Sequence, residues 1–91
     1  MKLLVLYHKN SDHESACIGF TRDLERFHPE VNVEMMSLET REGQDIARLY
    51  DATQYPSLIA VAEGDNRFLN MWQGQPFPLM NEVASYAVGE S

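Results

Sequence analysis

Hydrophobic and polar residues recur along this chain with two distinct periods, and those periods divide it into elements. Lys2-Leu-Leu-Val-Leu-Tyr7 is a nearly unbroken apolar run holding a β-branched residue and an aromatic, the pattern of a strand buried on both faces. The polar stretch from His8 to Glu14 ends in helix-start chemistry. Ser11 with Glu14, or Asp12 as N-cap, can satisfy the free N–H groups of a first turn. Cys17, Phe20, Leu24 and Phe27 fall on one stripe of an amphipathic helix that Pro29 stops. Val31, Val33 and Met35 alternate with Asn32 and Glu34, as in a half-buried strand. Thr40 to Ala52 reads as a second helix, with Ile46, Leu49 and Tyr50 inward and Arg41, Glu42, Asp45 and Arg48 outward.

Pro56 precedes Ser57-Leu-Ile-Ala-Val-Ala62, a second short buried strand. Glu63-Gly-Asp-Asn66 has the composition of a hairpin turn, because Gly and Asn tolerate positive φ. Arg67 to Trp72 is the return strand, with Phe68, Asn70 and Trp72 on one face and Leu69 and Met71 on the other. Pro76 and Pro78 sit where a last helix would begin, with Leu79, Met80, Val83, Tyr86 and Ala87 as its apolar face. The order β-α-β-α-β-β-α predicts an α/β fold with a four-stranded mixed sheet flanked by helices. No repeat, linker or low-complexity stretch interrupts residues 1–91, which are expected to form a single domain.

Composition narrows the partners. Seven Lys plus Arg against fourteen Asp plus Glu give a net charge of −7. Such an acidic surface repels phosphate, so neither nucleic acid nor an anionic membrane is an expected partner. The uninterrupted apolar run Leu3–Tyr7 is five residues long, far short of the ~20 that a membrane span needs. Met1-Lys2 runs straight into it with no small-residue cleavage site behind, so a secretory signal is not expected. Cys17 is the only cysteine, which rules out an internal disulfide and a Cys-rich zinc site and fits a reducing cytoplasm.

Three features together resemble the thioredoxin/glutaredoxin superfamily over nearly the whole chain. One is the N-terminal buried strand leading through a short polar loop into a long helix. Another is Gln54-Tyr-Pro-Ser-Leu-Ile-Ala-Val61, similar to the segment where that family places a cis-proline before its third strand. The last is the hairpin with Gly64, then Trp72-Gln-Gly74 leading into a terminal helix. The resemblance implies a thioredoxin-like fold, a cis Tyr55–Pro56 bond, and a contact face made by the 8–15 loop, Tyr55-Pro56 and the turn after Trp72. In relatives the backbone before that proline pairs with an extended peptide or with glutathione.

The departure lies at the redox motif. The family carries Cys-x-x-Cys or Cys-x-x-Ser at the strand-to-helix junction, where the helix N-terminus stabilises a thiolate. Counted from Tyr7, this chain has Asp12-His-Glu-Ser15 there; aligned on the helical stripe, it has Ser11-Asp-His-Glu14. Neither register holds a nucleophilic sulfur. Without one no mixed disulfide forms, so dithiol exchange is excluded.

Each remaining candidate has a functional and a plainer reading. Cys17 is a displaced monothiol nucleophile or sensor, or a small buried hydrophobe on the stripe of Phe20 and Leu24. His8, Asp12, His13, Glu14 and Cys17 carry metal-ligand chemistry, and His13 and Cys17 share a helix face. No ligand pair is repeated, however, so a capped helix start is preferred and no metal is expected. Ser15, by analogy with glutathione transferases, could hydrogen-bond a glutathione thiol; otherwise it is a first-turn residue, and the helical domain those enzymes add is not found here. Tyr55-Pro56 pairs with a ligand or merely aims the third strand. Trp72, Phe77, Pro76 and Pro78 form a surface patch or pack beneath the last helix.

The expectation is a redox-inactive binding or accessory module whose face includes Asp12, His13, Ser15, Tyr55 and Pro56. Its partner would be a protein or peptide, it would be a monomer, and no cofactor is required, with glutathione kept open as a ligand. Two alternatives stand beside it. One is a glutathione- or small-thiol-dependent enzyme using Ser15 or Cys17. The other is an acidic regulatory subunit that docks on a basic partner.

Overall fold

Side-chain alternation along two central strands sets the architecture. The computed structural model describes residues 1–89. It comprises β1 (Lys2–Tyr7), α1 (Glu14–Phe27), β2 (Asn32–Ser37), α2 (Arg41–Leu49), β3 (Ser57–Val61), β4 (Phe68–Gln73) and α3 (Met80–Gly89). The strands form one four-stranded sheet in the order β2-β1-β3-β4. β2 runs parallel to β1, whereas β3 is antiparallel to β1 and β4 to β3. The α/β class, the mixed sheet and the β-α-β-α-β-β-α order are those the sequence predicts. None of the described helices is long and apolar enough to cross a membrane.

Both central strands are covered on both faces, which is why they read as continuous apolar runs. Leu3 and Val5 of β1 and Leu58 and Ala60 of β3 pack with Cys17 and Leu24 of α1 and Val83 and Ala84 of α3. Leu4, Leu6, Ile59 and Val61 point the other way, toward Ala47 of α2 and toward Leu38 and Ala52. Burying each such Leu or Ile contributes about 1.5–3 kcal/mol relative to exposure. α2 starts cleanly because the Thr40 hydroxyl accepts the Gly43 N–H at 3.0 Å. Gly43 is buried, and a Cβ there would run into the Ser37 carbonyl, so α2 lies hard against the end of β2.

Several local expectations are corrected. α1 starts at Glu14 with His13 as N-cap, and His13 makes no side-chain capping bond. Neither Ser11 nor Asp12 caps it. Asn10 turns the chain with a φ of 61°, and the loop uses its own side chains internally. The Ser11 hydroxyl donates to the His8 carbonyl, and the Glu14 carboxylate accepts the Asn10 N–H at 3.0 Å. Phe27 is 60% exposed, although the Arg26 guanidinium lies over its ring at 5.4 Å. It is the last residue of α1, where the stripe has lost its partner.

α2 ends at Leu49 rather than Ala52, and Leu49 itself is 71% exposed. The inward stripe is Gly43, Ile46, Ala47 and Tyr50, spaced i, i+3, i+4, i+7. Two of those four are too small to register as a hydrophobic signal. Leu79 is 76% exposed and precedes α3, which begins at Met80, after Pro76 and Pro78. A register shift between Ala60 and Val61 adds a residue to β4 near Leu69. That bulge reverses the side-chain parity. Leu69 therefore packs on the α1/α3 side with Trp72, while Phe68 stacks on Tyr50, the residue that caps α2, with ring centroids 6.0 Å apart.

Candidate functional site

The strand register brings four loops to one end of the sheet. Tyr7 pairs with Ser37, Leu6 with Ser57, and Ser57 with Gln73. The segments after β1, after β2, before β3 and after β4 therefore meet there. Crevices beyond the carboxyl ends of parallel strands are where open α/β sheets commonly bind ligands.

His8, the first residue after β1, joins three of these segments. Its ring meets the Tyr55 ring edge-on at 5.3 Å, and its Nδ1 lies 3.3 Å from the Glu39 carboxylate. Its backbone N–H donates to Nε2 of His13 at 2.9 Å, which requires that nitrogen to be unprotonated. Glu39 is the fastener between the loop after β1 and the loop after β2. Its carboxylate accepts the Ser37 hydroxyl at 2.6 Å and the Lys9 N–H at 3.0 Å. These bonds, that from Ser37 foremost, hold its pKa down at about 2. Sequence reasoning missed Glu39 because its partners, apart from Ser37, are about thirty positions away.

The far side is tied in the same way. The Gln73 side-chain oxygen accepts the N–H groups of Thr53 at 2.7 Å and Gln54 at 3.1 Å. Gly74 N–H donates to the Pro56 carbonyl at 2.8 Å, with Gly74 at a φ of 76°. The Tyr55–Pro56 and Gln75–Pro76 peptide bonds are cis. The Tyr55 hydroxyl donates to the Ala52 carbonyl at 2.9 Å, which fixes its ring.

Between α2 and this corner opens a groove of about 410 Å³, a volume within the range of small-ligand sites. Leu38, Ala47 and Ala52 supply its apolar lining, Tyr55 and His8 an aromatic wall, and Gln44, Arg48 and Asp51 its polar groups. The Gln44 amide donates to the Leu38 carbonyl at 3.1 Å, so that side is fixed as well. None of Leu38, Gln44, Arg48 and Asp51 stood out in the sequence as a site residue.

The residues singled out from the sequence are only partly brought together. His13 is half-buried and linked to His8, and through it to Tyr55; Pro56 is buried at the start of β3. Asp12 and Ser15 are exposed, and neither side chain is engaged with the groove among the described residues. Cys17 is fully buried, and burial, reinforced by the nearby Glu14 carboxylate, pushes its thiol up to about 11. Trp72 donates its indole N–H to Glu82 at 2.6 Å and Phe77 stacks on Phe20 at 4.8 Å, so both aromatics have intramolecular partners. Among the described residues no three His, Cys, Asp or Glu side chains gather as a metal-ligand set. Compared with known proteins, the chain matches no family model and no curated sequence.

Proposed function

We propose that this chain is a thioredoxin-like domain acting as a binding or accessory module, with no thiol–disulfide chemistry of its own. The observation that carries the reading is the pairing of an open groove at the His8–Tyr55 corner with the burial of the one thiol in the chain. A functional thiol needs exposure and a depressed pKa, whereas Cys17 is fully buried and its pKa is raised. The corner instead offers a fixed aromatic wall, a few polar groups and apolar lining, which suit a side chain or terminus of an extended peptide. The acidic surface favours a partner carrying basic residues, and a reducing cytoplasm suits the unpaired thiol.

A photocrosslinking phenylalanine analogue placed at Tyr55, with Phe27 as the exposed control, tests this reading in native extract. A discrete adduct from position 55 that is absent from position 27 is expected. Equal adducts from both, or none from 55, would remove the groove as the contact surface. Glutathione titration followed by amide shifts addresses the enzymatic alternative. Saturable shifts at 8–17 and 54–57 would replace the peptide partner with a small thiol at the same corner.

A further inference from the structure

The sheet ends on β4, and an edge strand presents unpaired N–H and C=O groups to any other extended chain. Proteins commonly guard such edges with charge, yet no charged residue lies between Arg67 and Glu82 in a chain that is 23% charged. The outward-facing groups of β4 can be identified from the ladder. Gly74 N–H bonds to the Pro56 carbonyl, and antiparallel pairs alternate between bonded and non-bonded. By the observed register, Trp72 and Asn70 are then the bonded partners of Leu58 and Ala60. Met71 and Gln73 are the non-bonded pairs, and they turn their backbone groups toward the open edge.

At the centre of that edge the Met71 N–H is already occupied. The side-chain oxygen of Asn70 accepts it at 2.9 Å, and the Asn70 amide group donates in turn to the Tyr86 hydroxyl at 2.9 Å. The Tyr86 ring is held edge-on by Trp72 at 5.5 Å, so the amide is clamped from α3. The register shift beside Leu69 twists the same stretch. We infer that the β4 edge is a latent self-association surface, kept shut by the Asn70–Tyr86 clamp in place of charge. The partner excluded is a second copy of this chain. Two β4 strands running antiparallel about Met71 would pair Met71 with Met71 of the other copy and set Asn70 against its Trp72, with no charged residue within either strand to oppose the pairing.

Amide hydrogen exchange and sedimentation of the intact chain test this. In the unmodified protein Met71 should exchange more slowly than Gln73, independently of protein concentration. In N70A the Met71 amide of the dilute protein should exchange roughly five- to tenfold faster, the loss of one hydrogen bond. At high concentration N70A should form dimers that the parent does not. Should N70A fail to fold, Y86F keeps the aromatic packing and removes only the hydroxyl, and it should also raise Met71 exchange. Met71 exchanging as fast as Gln73 in the parent overturns the inference. So does a folded N70A that stays monomeric, or Met71 exchange unchanged in Y86F.

Discussion

The two faces of the sheet are covered to different extents, and the difference separates a sealed core from an open groove. On one face α1 and α3 seal Leu3, Val5, Leu58 and Ala60 beneath Cys17, Leu24, Val83 and Ala84, every one of them buried. On the other lies the nine-residue α2, which contributes Gly43 and Ala47 as its buried residues. Small residues let α2 sit close to β2, but a short helix with little bulk cannot close the whole face. What it leaves open is the groove between Tyr55, His8 and its own last turn. One face thus supplies packing, and the other supplies a concave surface rimmed by polar groups.

Truncations on the two faces should expose this asymmetry most sharply. Leu24→Ala on the sealed face should cost about 2–5 kcal/mol in denaturant unfolding, the lost transfer energy plus a cavity. Leu49→Ala on the open face should stay within ~0.5 kcal/mol, since that side chain is 71% exposed. Equal costs would erase the distinction. Gly43→Ala sharpens it. An exposed helical site would gain up to ~1 kcal/mol from this change, but here the new methyl meets the Ser37 carbonyl. A net loss of roughly 1–3 kcal/mol is expected, and a gain would mean that α2 is not seated on β2. Thr40→Ala should cost about 1 kcal/mol by freeing the Gly43 N–H.

The sealed face was legible in the sequence and the open corner largely was not. β1 and β3 announce themselves as apolar runs, and Cys17 and Leu24 mark the α1 stripe, because both sheet faces and a long helix leave strong periodic signals. The seat of α2 was misread because Gly43 and Ala47 carry no hydrophobic signal, so Leu49 took their place. The bulge near Leu69 was invisible because it is a property of pairing, and pairing depends on β3. At the site, Tyr55-Pro56 was found from local resemblance, while Glu39 was missed because its bonds to His8 and Lys9 span the gap between two loops. Asp12 and Ser15 were chosen by position in a motif rather than by geometry, and they lie outside the groove lining.

The smallest effect concerns acid. Glu39 has its pKa lowered from 4.5 to about 2. Its contribution is therefore fully present above the unfolded value and is lost as pH falls through the folded one. The Lys9 amide signal should titrate with a midpoint near 2, and Glu39→Gln should abolish that titration while leaving the sealed face intact. A midpoint at the ordinary carboxylate value would show that the two loops are not fastened there.

The most direct test of a module without thiol chemistry is the reaction of Cys17 with a thiol reagent, native against unfolded. Cys17 is fully buried, and that burial pushes its thiol pKa up to about 11. Labelling of the native protein should therefore wait on structural opening and run at least ~100-fold slower than in denaturant. Native labelling at the rate of the unfolded chain would place an accessible thiolate at this end of α1 and contradict the account.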